Sequence, residues 1–196
     1  LMTPTFVPPP LASGPPPVWV GALGPKMTAL VAEVADGLCV HPFNTERFIA
    51  EHVLANVDRG LARAGRTRDD LTLVLDAVCC VYGDEAEEER ARRAARYNLA
   101  FYASTPAYRV TLDCHGWGDL QPELNALSKQ GRWDDMAATV DDEILATIAL
   151  VGTPAEVADE IGRRFGGVAD RLAVSFPGDP SDATLAELVE RVLSQH

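Results

Sequence analysis

The sequence predicts an α/β fold of parallel strands, and three observations on its 196 residues support that prediction. Short apolar runs alternate with longer amphipathic stretches, which is the pattern of strands followed by helices. The first two runs are joined by a single helix, as in a right-handed parallel βαβ unit. Hydrophobic residues make up 47% of the chain and charged residues 23%, a balance that suits a globular domain with a core. We expect four parallel strands and an inserted helical segment.

The opening unit begins with the apolar run at 18–22, which is too short and too β-branched for a helix and predicts a buried strand. Gly24 and Pro25 follow, and the preset φ of proline suits a first helical position. Apolar residues then recur at helical spacing, at Met27, Leu30, Val31 and Val34. We expect the helix to end at 36–37, before a second strand at 38–40.

The turn between this first strand and its helix is a candidate anion site. A helix N-terminus presents unpaired N–H groups with the positive end of the helix dipole behind them. Gly24 allows a phosphate to approach the backbone, and Lys26 adds a positive charge beside it. The alternative interpretation is an ordinary turn with a solvated lysine, since short glycine turns are common in α/β proteins.

Several stretches of the chain resemble one enzyme superfamily. Residues 21–27 read Gly-Ala-Leu-Gly-Pro-Lys-Met, 33–37 read Glu-Val-Ala-Asp-Gly, and 41–43 read His-Pro-Phe. Together with 101–109 and 115–119, they resemble the luciferase-like monooxygenase superfamily, and within it the oxidoreductases that use the deazaflavin coenzyme F420. The resemblance covers nearly the whole chain.

The resemblance implies the C-terminal half of a (β/α)8 TIM barrel of the luciferase-like type. It also implies that the glycine turn holds the phosphate of coenzyme F420 by backbone amides, and that the next strand end lines the same pocket. The cofactor-binding residues implied in this way are Ala22, Leu23, Gly24, Pro25, Lys26, His41 and Asn44. FMN is the alternative cofactor.

Length limits what the chain can form. A complete barrel needs roughly 250 residues, whereas this chain has 196. Residues 1–17 are rich in proline and predict an extended connector, which leaves 18–196 as a half-barrel domain. The abrupt start at Leu1 suggests a chain cut or begun inside a longer protein. Because half a barrel has open apolar edges, we expect a complementary N-terminal half or a homo-oligomer to cover them.

The middle of the chain supplies scaffold elements. Asn44 is expected to cap a helix that Gly65 ends. The apolar run at 71–82 predicts the third strand. Within it, Asp76 is interpreted as a residue at a bend satisfied by backbone amides, in preference to a catalytic carboxylate. Asp84 is expected to cap the next helix.

A helical insertion at about 97–150 departs from simple alternation and is rich in aromatic residues. Insertions after barrel strands tend to lie over the C-terminal face, where substrates bind. The candidate substrate-pocket residues are therefore Tyr102, Tyr108, His115 and Trp117. A helical hairpin or a subunit contact packed by the same aromatics is the alternative. The insertion is expected to end in one helix over 134–150.

The final elements carry strong local signals. Thr153 and Glu156 predict a capping box with Pro154 at the first helical position. The last strand is expected at 171–176, followed by a terminal helix capped by Ser181 or Asp182.

The net charge and the cysteine content indicate which classes of partner and which redox environment to expect. A formal net charge of −12 argues against nucleic acid, because phosphate backbones bind basic surfaces. The four cysteines include no CxxC pair, so we expect reduced thiols, a cytoplasmic protein and no metal site. No apolar run approaches the roughly 18 residues of a membrane span.

The resemblance implies an oxidoreductase in which F420 exchanges a hydride with a small-molecule substrate. This half would supply the phosphate turn, the strand end at His41 and part of a substrate lid, and it leaves the catalytic residues unassigned. The alternatives are an FMN-dependent luciferase-like monooxygenase and a non-catalytic α/β fragment with no cofactor.

Overall fold

The computed structural model of the chain describes residues 11–195, and in that range five strands form one parallel sheet. They are β1 (Trp19–Gly21), β2 (Gly37–Val40), β3 (Thr72–Val81), β4 (Leu150–Gly152) and β5 (Arg171–Ser175). Part of the predicted connector, residues 1–10, lies outside the described residues, and 11–17 contain neither helix nor strand. The predicted parallel α/β fold is confirmed.

Helices occupy most of the chain between the strands. They are α1 (Pro25–Val34), α2 (Glu46–Phe48), α3 (Ala55–Ala64), α4 (Glu85–Ala103), α5 (Arg109–Asp113), α6 (Leu120–Lys129), α7 (Trp133–Ala138), α8 (Asp142–Ile148), α9 (Pro154–Phe165) and α10 (Asp182–Ser194). A six-residue π-helix, Ile49–Leu54, joins α2 to α3 without a break. The segment between β3 and β4 is built from α4 to α8, which form a second layer of core beside the sheet.

The long strand β3 organises the sheet because it pairs with three others. Its residues 72–75 pair with β2, 74–78 with β5, and 79–81 with β4, all in parallel. Strand β1 extends the sheet beyond β2 and pairs with no other strand among the described residues. The path β1-β2-β3-β5 contains the four strands expected from the sequence.

The expected helix over 134–150 is wrong, because that stretch forms two short helices and a strand. Helix α7 ends at Ala138, and Asp141 begins α8 by accepting a hydrogen bond from the amide of Ile144 at 2.9 Å. Leu150 is fully buried in β4, where it pairs with Cys79. An apolar run of three residues after a helix does not differ in pattern from a continuing helix, so periodicity missed this strand.

Helix α1 packs on α3 through small residues. A Cβ on Gly60 would lie 2.1 Å from the carbonyl oxygen of Ala29 and 2.8 Å from the Cβ of Ala32, so only glycine permits this approach. The apolar residues that recur at helical spacing in α1 do not all face the core. Val31 is buried, whereas Met27, Leu30 and Val34 are 48%, 44% and 75% exposed.

Most predicted helix ends are confirmed. Gly65 ends α3 with a left-handed φ of 65°, Asp84 accepts from the Glu87 amide, and Thr153 forms a capping box with Glu156. The terminal helix is capped by Ser181, one of the two residues expected there. No helix in residues 11–195 is both long enough and apolar enough to cross a membrane.

Candidate functional site

An open cleft of about 490 Å³ lies where β1 and β2 end, and inward residues of β3 and β5 form its floor. The C-terminal edge of a parallel sheet is where ligands bind in α/β proteins. The cleft is lined by Gly21, Ala22, Leu23, Cys39, Val40, His41, Pro42, Val74, Asp76, Tyr108 and Ala173. Ala22, Leu23, His41 and Tyr108 were predicted as site residues from the sequence. The other lining residues were not predicted. Ala22 and Leu23 of the turn therefore share one concave surface with His41, whereas the predicted residues Gly24, Pro25 and Lys26 follow in the chain and do not line the cleft.

The turn after β1 enters a helix with no side-chain cap. Gly24 is the N-cap residue of α1, with an extended backbone at φ −80° and ψ 154°, and Pro25 occupies the first turn. The helices that follow the other four strands are all capped by a side chain, those of Thr45, Asp84, Thr153 and Ser181. The start of α1 thus differs from its counterparts in leaving its amides available to a ligand.

Some backbone N–H groups of this turn are hydrogen-bonded within the protein, and others are unpaired among the described residues. The N–H of Ala22 donates to the carbonyl of Cys39 at 3.3 Å, which removes it as a phosphate donor. The N–H groups of Leu23, Gly24, Lys26 and Met27 have no hydrogen-bond partner within residues 11–195. Lys26 is exposed and makes no ion pair in that range. Several N–H donors and one cation therefore lie within a single turn.

Gly24 is a glycine that the fold itself does not require. Its φ of −80° is accessible to every amino acid, and a Cβ built there would meet no atom within 4 Å. A glycine with open space beside its backbone is what close approach of a ligand needs. The position therefore supports the predicted role of the turn.

His41 lies at the end of β2 with its ring held on both sides. The ring stacks on Tyr108 with centroids 4.3 Å apart and meets the edge of Tyr102 at 4.8 Å. Its Nδ1 accepts a hydrogen bond from the amide of Phe43 at 3.1 Å. Burial lowers the pKa of His41, so the ring is neutral near pH 7 and its proton is on Nε2.

Asn44 stabilises the backbone next to the cleft. Its side-chain amide donates to the carbonyl of His41 at 2.7 Å and to that of Asp76 at 2.8 Å, which ties the end of β2 to β3. The residue is 4% exposed and does not line the cleft. The prediction that Asn44 caps a helix is wrong: Thr45 is the N-cap and accepts from the amide of Phe48 at 3.1 Å. Asn44 thus positions His41.

Asp76 is the acidic residue of the cleft. It lies within β3, two residues after Val74, and both side chains line the cleft, since alternate residues of a strand share a face. Burial raises the pKa of its carboxyl, and a hydrogen bond from the backbone N–H of Ala77 opposes the rise. The bend expected from the sequence is wrong, because Asp76 lies inside the continuous strand β3 and pairs with Ala173 of β5. The expected backbone amide is that of Ala77. The position in the cleft was not expected, although a carboxylate alternating with valines in a strand could have indicated it.

The remaining predicted pocket residues lie apart from the cleft lining. Tyr102 contacts His41 from the insertion, as described above. His115 stacks on Trp117 with centroids 4.6 Å apart, and its Nε2 lies 2.9 Å from the Oγ1 of Thr45. Burial lowers the pKa of His115. His115 and Trp117 therefore pack the insertion against the start of α2, and a role for them toward substrate stays a prediction.

Solved structures share this fold. The coenzyme F420-dependent tetrahydromethanopterin reductase of Methanopyrus kandleri matches with a TM-score of 0.70 and 22% identity, over 91% of this chain and 50% of that one. An F420-dependent secondary alcohol dehydrogenase in complex with an F420-acetone adduct matches with a TM-score of 0.59 and 16% identity, over 89% and 47%. These likenesses confirm the luciferase-like α/β fold expected from the sequence and are consistent with half of a barrel.

The chain is also similar in sequence to known proteins. A protein of Mycobacterium tuberculosis with no described activity is 42% identical over 176 residues, which are 90% of this chain and 52% of that protein. The 5,10-methylenetetrahydromethanopterin reductase of Archaeoglobus fulgidus is 30% identical over 179 residues, 88% of this chain and 52% of the enzyme. The chain thus spans about half the length of these relatives. The family model described as luciferase-like monooxygenase matches residues 1–171, and the chain belongs to that family.

Proposed function

We propose that this chain supplies one half of the cofactor site of an F420-dependent oxidoreductase. The observation that carries the proposal is the uncapped start of α1, where the amides of Leu23 and Gly24 are unpaired within the described part of the chain and Leu23 itself lines an apolar cleft. Amides of this kind bind phosphate, and a cleft of about 490 Å³ is the size of a small-molecule site. A sequence relative and two solved structures whose names state F420 dependence support the choice of cofactor.

The residues of the turn have distinct roles in this proposal. The amides of Leu23 and Gly24 would hold the F420 phosphate, and the Lys26 ammonium would add an attraction that salt screens. Pro25 fixes the start of α1, and Ala22 supplies apolar contact because its amide is already bonded to Cys39. F420, when bound, supplies the hydride chemistry.

The cleft floor would orient the ring of the cofactor. His41 offers Nε2–H as a donor, since Nδ1 is already bonded to Phe43. Tyr108 lies against His41 and restricts its rotation. Asp76 offers a carboxyl whose raised pKa favours the neutral form more than an exposed aspartate would.

A partner is part of the proposal, because within residues 11–195 the strand β1 pairs only with β2 and its other edge has no strand beside it. Val18, which immediately precedes β1, is 59% exposed, and Leu30 and Val34 of the adjoining helix α1 are 44% and 75% exposed. A parallel edge strand with apolar neighbours is normally covered by further chain. We propose that the complementary N-terminal half of a barrel covers it, with a second copy of this chain as the alternative.

Cysteine chemistry agrees with a cytoplasmic location for this enzyme. All four thiols, at Cys39, Cys79, Cys80 and Cys114, are free. Burial raises the pKa of Cys79 to about 12 and that of Cys80 to about 11, which makes both unreactive.

The test is a titration of F420, followed by its fluorescence, against the protein and against variants of its two lysines. Lys26→Ala should weaken binding about two- to five-fold at low salt, whereas Lys129→Ala, on the exposed end of α6, should not. Tighter binding of FMN than of F420 would identify an FMN-dependent monooxygenase instead. Failure to bind either cofactor would contradict the proposal and favour a non-catalytic fragment.

A further inference from the structure

A cluster of three different metal-ligating side chains lies away from the cleft. Glu51 and His52 belong to the π-helix at Ile49–Leu54, and Cys114 follows α5. One ligand atom from each residue lies within 4.8 Å of the other two. None of the three lines the cleft, so the cluster is independent of the proposed cofactor site. π-Helical turns occur frequently at functional sites.

We propose that Glu51, His52 and Cys114 bind a divalent transition-metal ion, for which Zn²⁺ is the best chemical match. Thiolate, imidazole and carboxylate are the ligand types that zinc accepts, whereas magnesium and calcium take oxygen ligands. The thiolate and carboxylate together neutralise a divalent ion. Three protein ligands leave one coordination position of a tetrahedral ion open to water or another ligand.

The three ligand atoms must move slightly closer together to bind one metal ion. Zinc bonds of about 2.3 Å to sulfur and about 2.0 Å to nitrogen or oxygen place tetrahedral ligand atoms roughly 3.5 Å apart. The distances between the three ligand atoms, which are now up to 4.8 Å, must therefore shorten by roughly 1 Å. Because Glu51 is exposed and both other residues are half-buried, side-chain rotation suffices for this closure. The Cys114 thiol releases its proton to solvent as it coordinates the metal.

Neighbouring groups already orient the ligands. Arg47 bonds the carboxylate of Glu51 at 2.9 Å, and the His52 ring stacks on Phe48 with centroids 5.4 Å apart. The Cys114 thiol donates to the carbonyl of Val110 at 3.2 Å. Such outer partners fix ligand orientation in metal sites. The thiol must turn away from that carbonyl when it coordinates the metal.

The test uses Co²⁺ as a spectroscopic probe on protein stripped with a chelator, followed by displacement with Zn²⁺. One equivalent of Co²⁺ should produce a thiolate-to-cobalt charge-transfer band, and Zn²⁺ should abolish it. Cys114→Ser should remove the band and weaken Zn²⁺ binding at least about 100-fold, since loss of an outer partner alone costs 10- to 100-fold. Cys39→Ser is the matched control and should leave both unchanged.

A second measurement does not depend on whether the variants fold. Zn²⁺ should protect Cys114 of the unaltered protein from alkylation, read by peptide mass spectrometry, while Cys39 reacts at the same rate with and without the metal. The proposal is overturned if Co²⁺ gives no charge-transfer band, if the band persists in folded Cys114→Ser, or if Zn²⁺ leaves the alkylation of Cys114 unchanged.

Discussion

Substitution of Gly24 by alanine separates the cofactor role of the first turn from its role in folding. The backbone at φ −80° and ψ 154° accepts alanine, and no atom lies within 4 Å of the added methyl group. Reduced freedom of the unfolded chain favours the alanine by about 0.4–1 kcal/mol. Alanine is a poorer N-cap than glycine by a similar amount, roughly 0.5–1 kcal/mol. The free energy of unfolding should therefore change by no more than about 0.5 kcal/mol.

Binding should respond far more strongly than stability. A methyl group at Gly24 would hold a phosphate away from the amides of the turn and remove at least one charge-assisted hydrogen bond. Such a bond contributes about 1.5–3 kcal/mol, which corresponds to about a 10- to 100-fold rise in the Kd for F420. Urea unfolding measures the first quantity, and fluorescence titration measures the second.

A second substitution at this position sharpens the comparison. Gly24→Ser adds the side-chain cap that the helices after the other strands possess, so it should stabilise the protein while it weakens F420 binding. Ser181→Ala is the matched control, since it removes a cap far along the chain and should lower stability without changing the Kd. An unchanged Kd in folded Gly24→Ala would refute the claim that phosphate approaches this backbone.

Three further predictions concern the scaffold. Glu87, which accepts hydrogen bonds from two backbone amides and from the hydroxyl of Thr184, has its pKa lowered from 4.5 to about 2. Because protonation then favours the unfolded chain, its stabilisation is complete above about pH 4.5 and is lost toward pH 2. In Glu87→Gln, urea midpoints should fall less between these values, and equal slopes for both proteins would contradict the assignment. Gly60→Ala should cost at least about 1–3 kcal/mol in urea unfolding, because the new methyl overlaps the carbonyl of Ala29. Asn44→Ala should cost about 2 kcal/mol or more, since it leaves two carbonyls without a donor, and an unchanged midpoint would show that the bridge between β2 and β3 is dispensable.

The features of the fold that could be predicted from the sequence are those that depend on a few neighbouring residues. Caps such as Thr153 with Glu156 and the left-handed end at Gly65 are decided within a few residues, so the sequence alone locates them. The strand Leu150–Gly152 was not predictable, because it forms by pairing with the distant end of β3. The buried face of α1 does not follow from the spacing of its large apolar residues, because Gly60 of α3 packs closely against Ala29 and Ala32.

Some residues of the candidate site could likewise be predicted from the sequence, and others could not. The turn at Gly24 was identified from its position at a helix N-terminus, and the strand end at His41 was identified through the family resemblance. Tyr108 was identified as a pocket residue because the insertion that carries it is rich in aromatic residues. The position of Asp76 in the cleft was not expected, because it depends on how β3 packs in the sheet. Asn44 was identified as a site residue, but its contacts lie with backbone carbonyls behind the cleft.

The most direct test of the account is a crystal structure of the protein, with its complementary half where that half copurifies, grown with F420. The account predicts the phosphate within hydrogen-bond distance of the amides of Leu23 and Gly24, and the deazaflavin ring in the cleft beside His41. A phosphate bound elsewhere, or a saturated crystal with no F420 in the cleft, would contradict it.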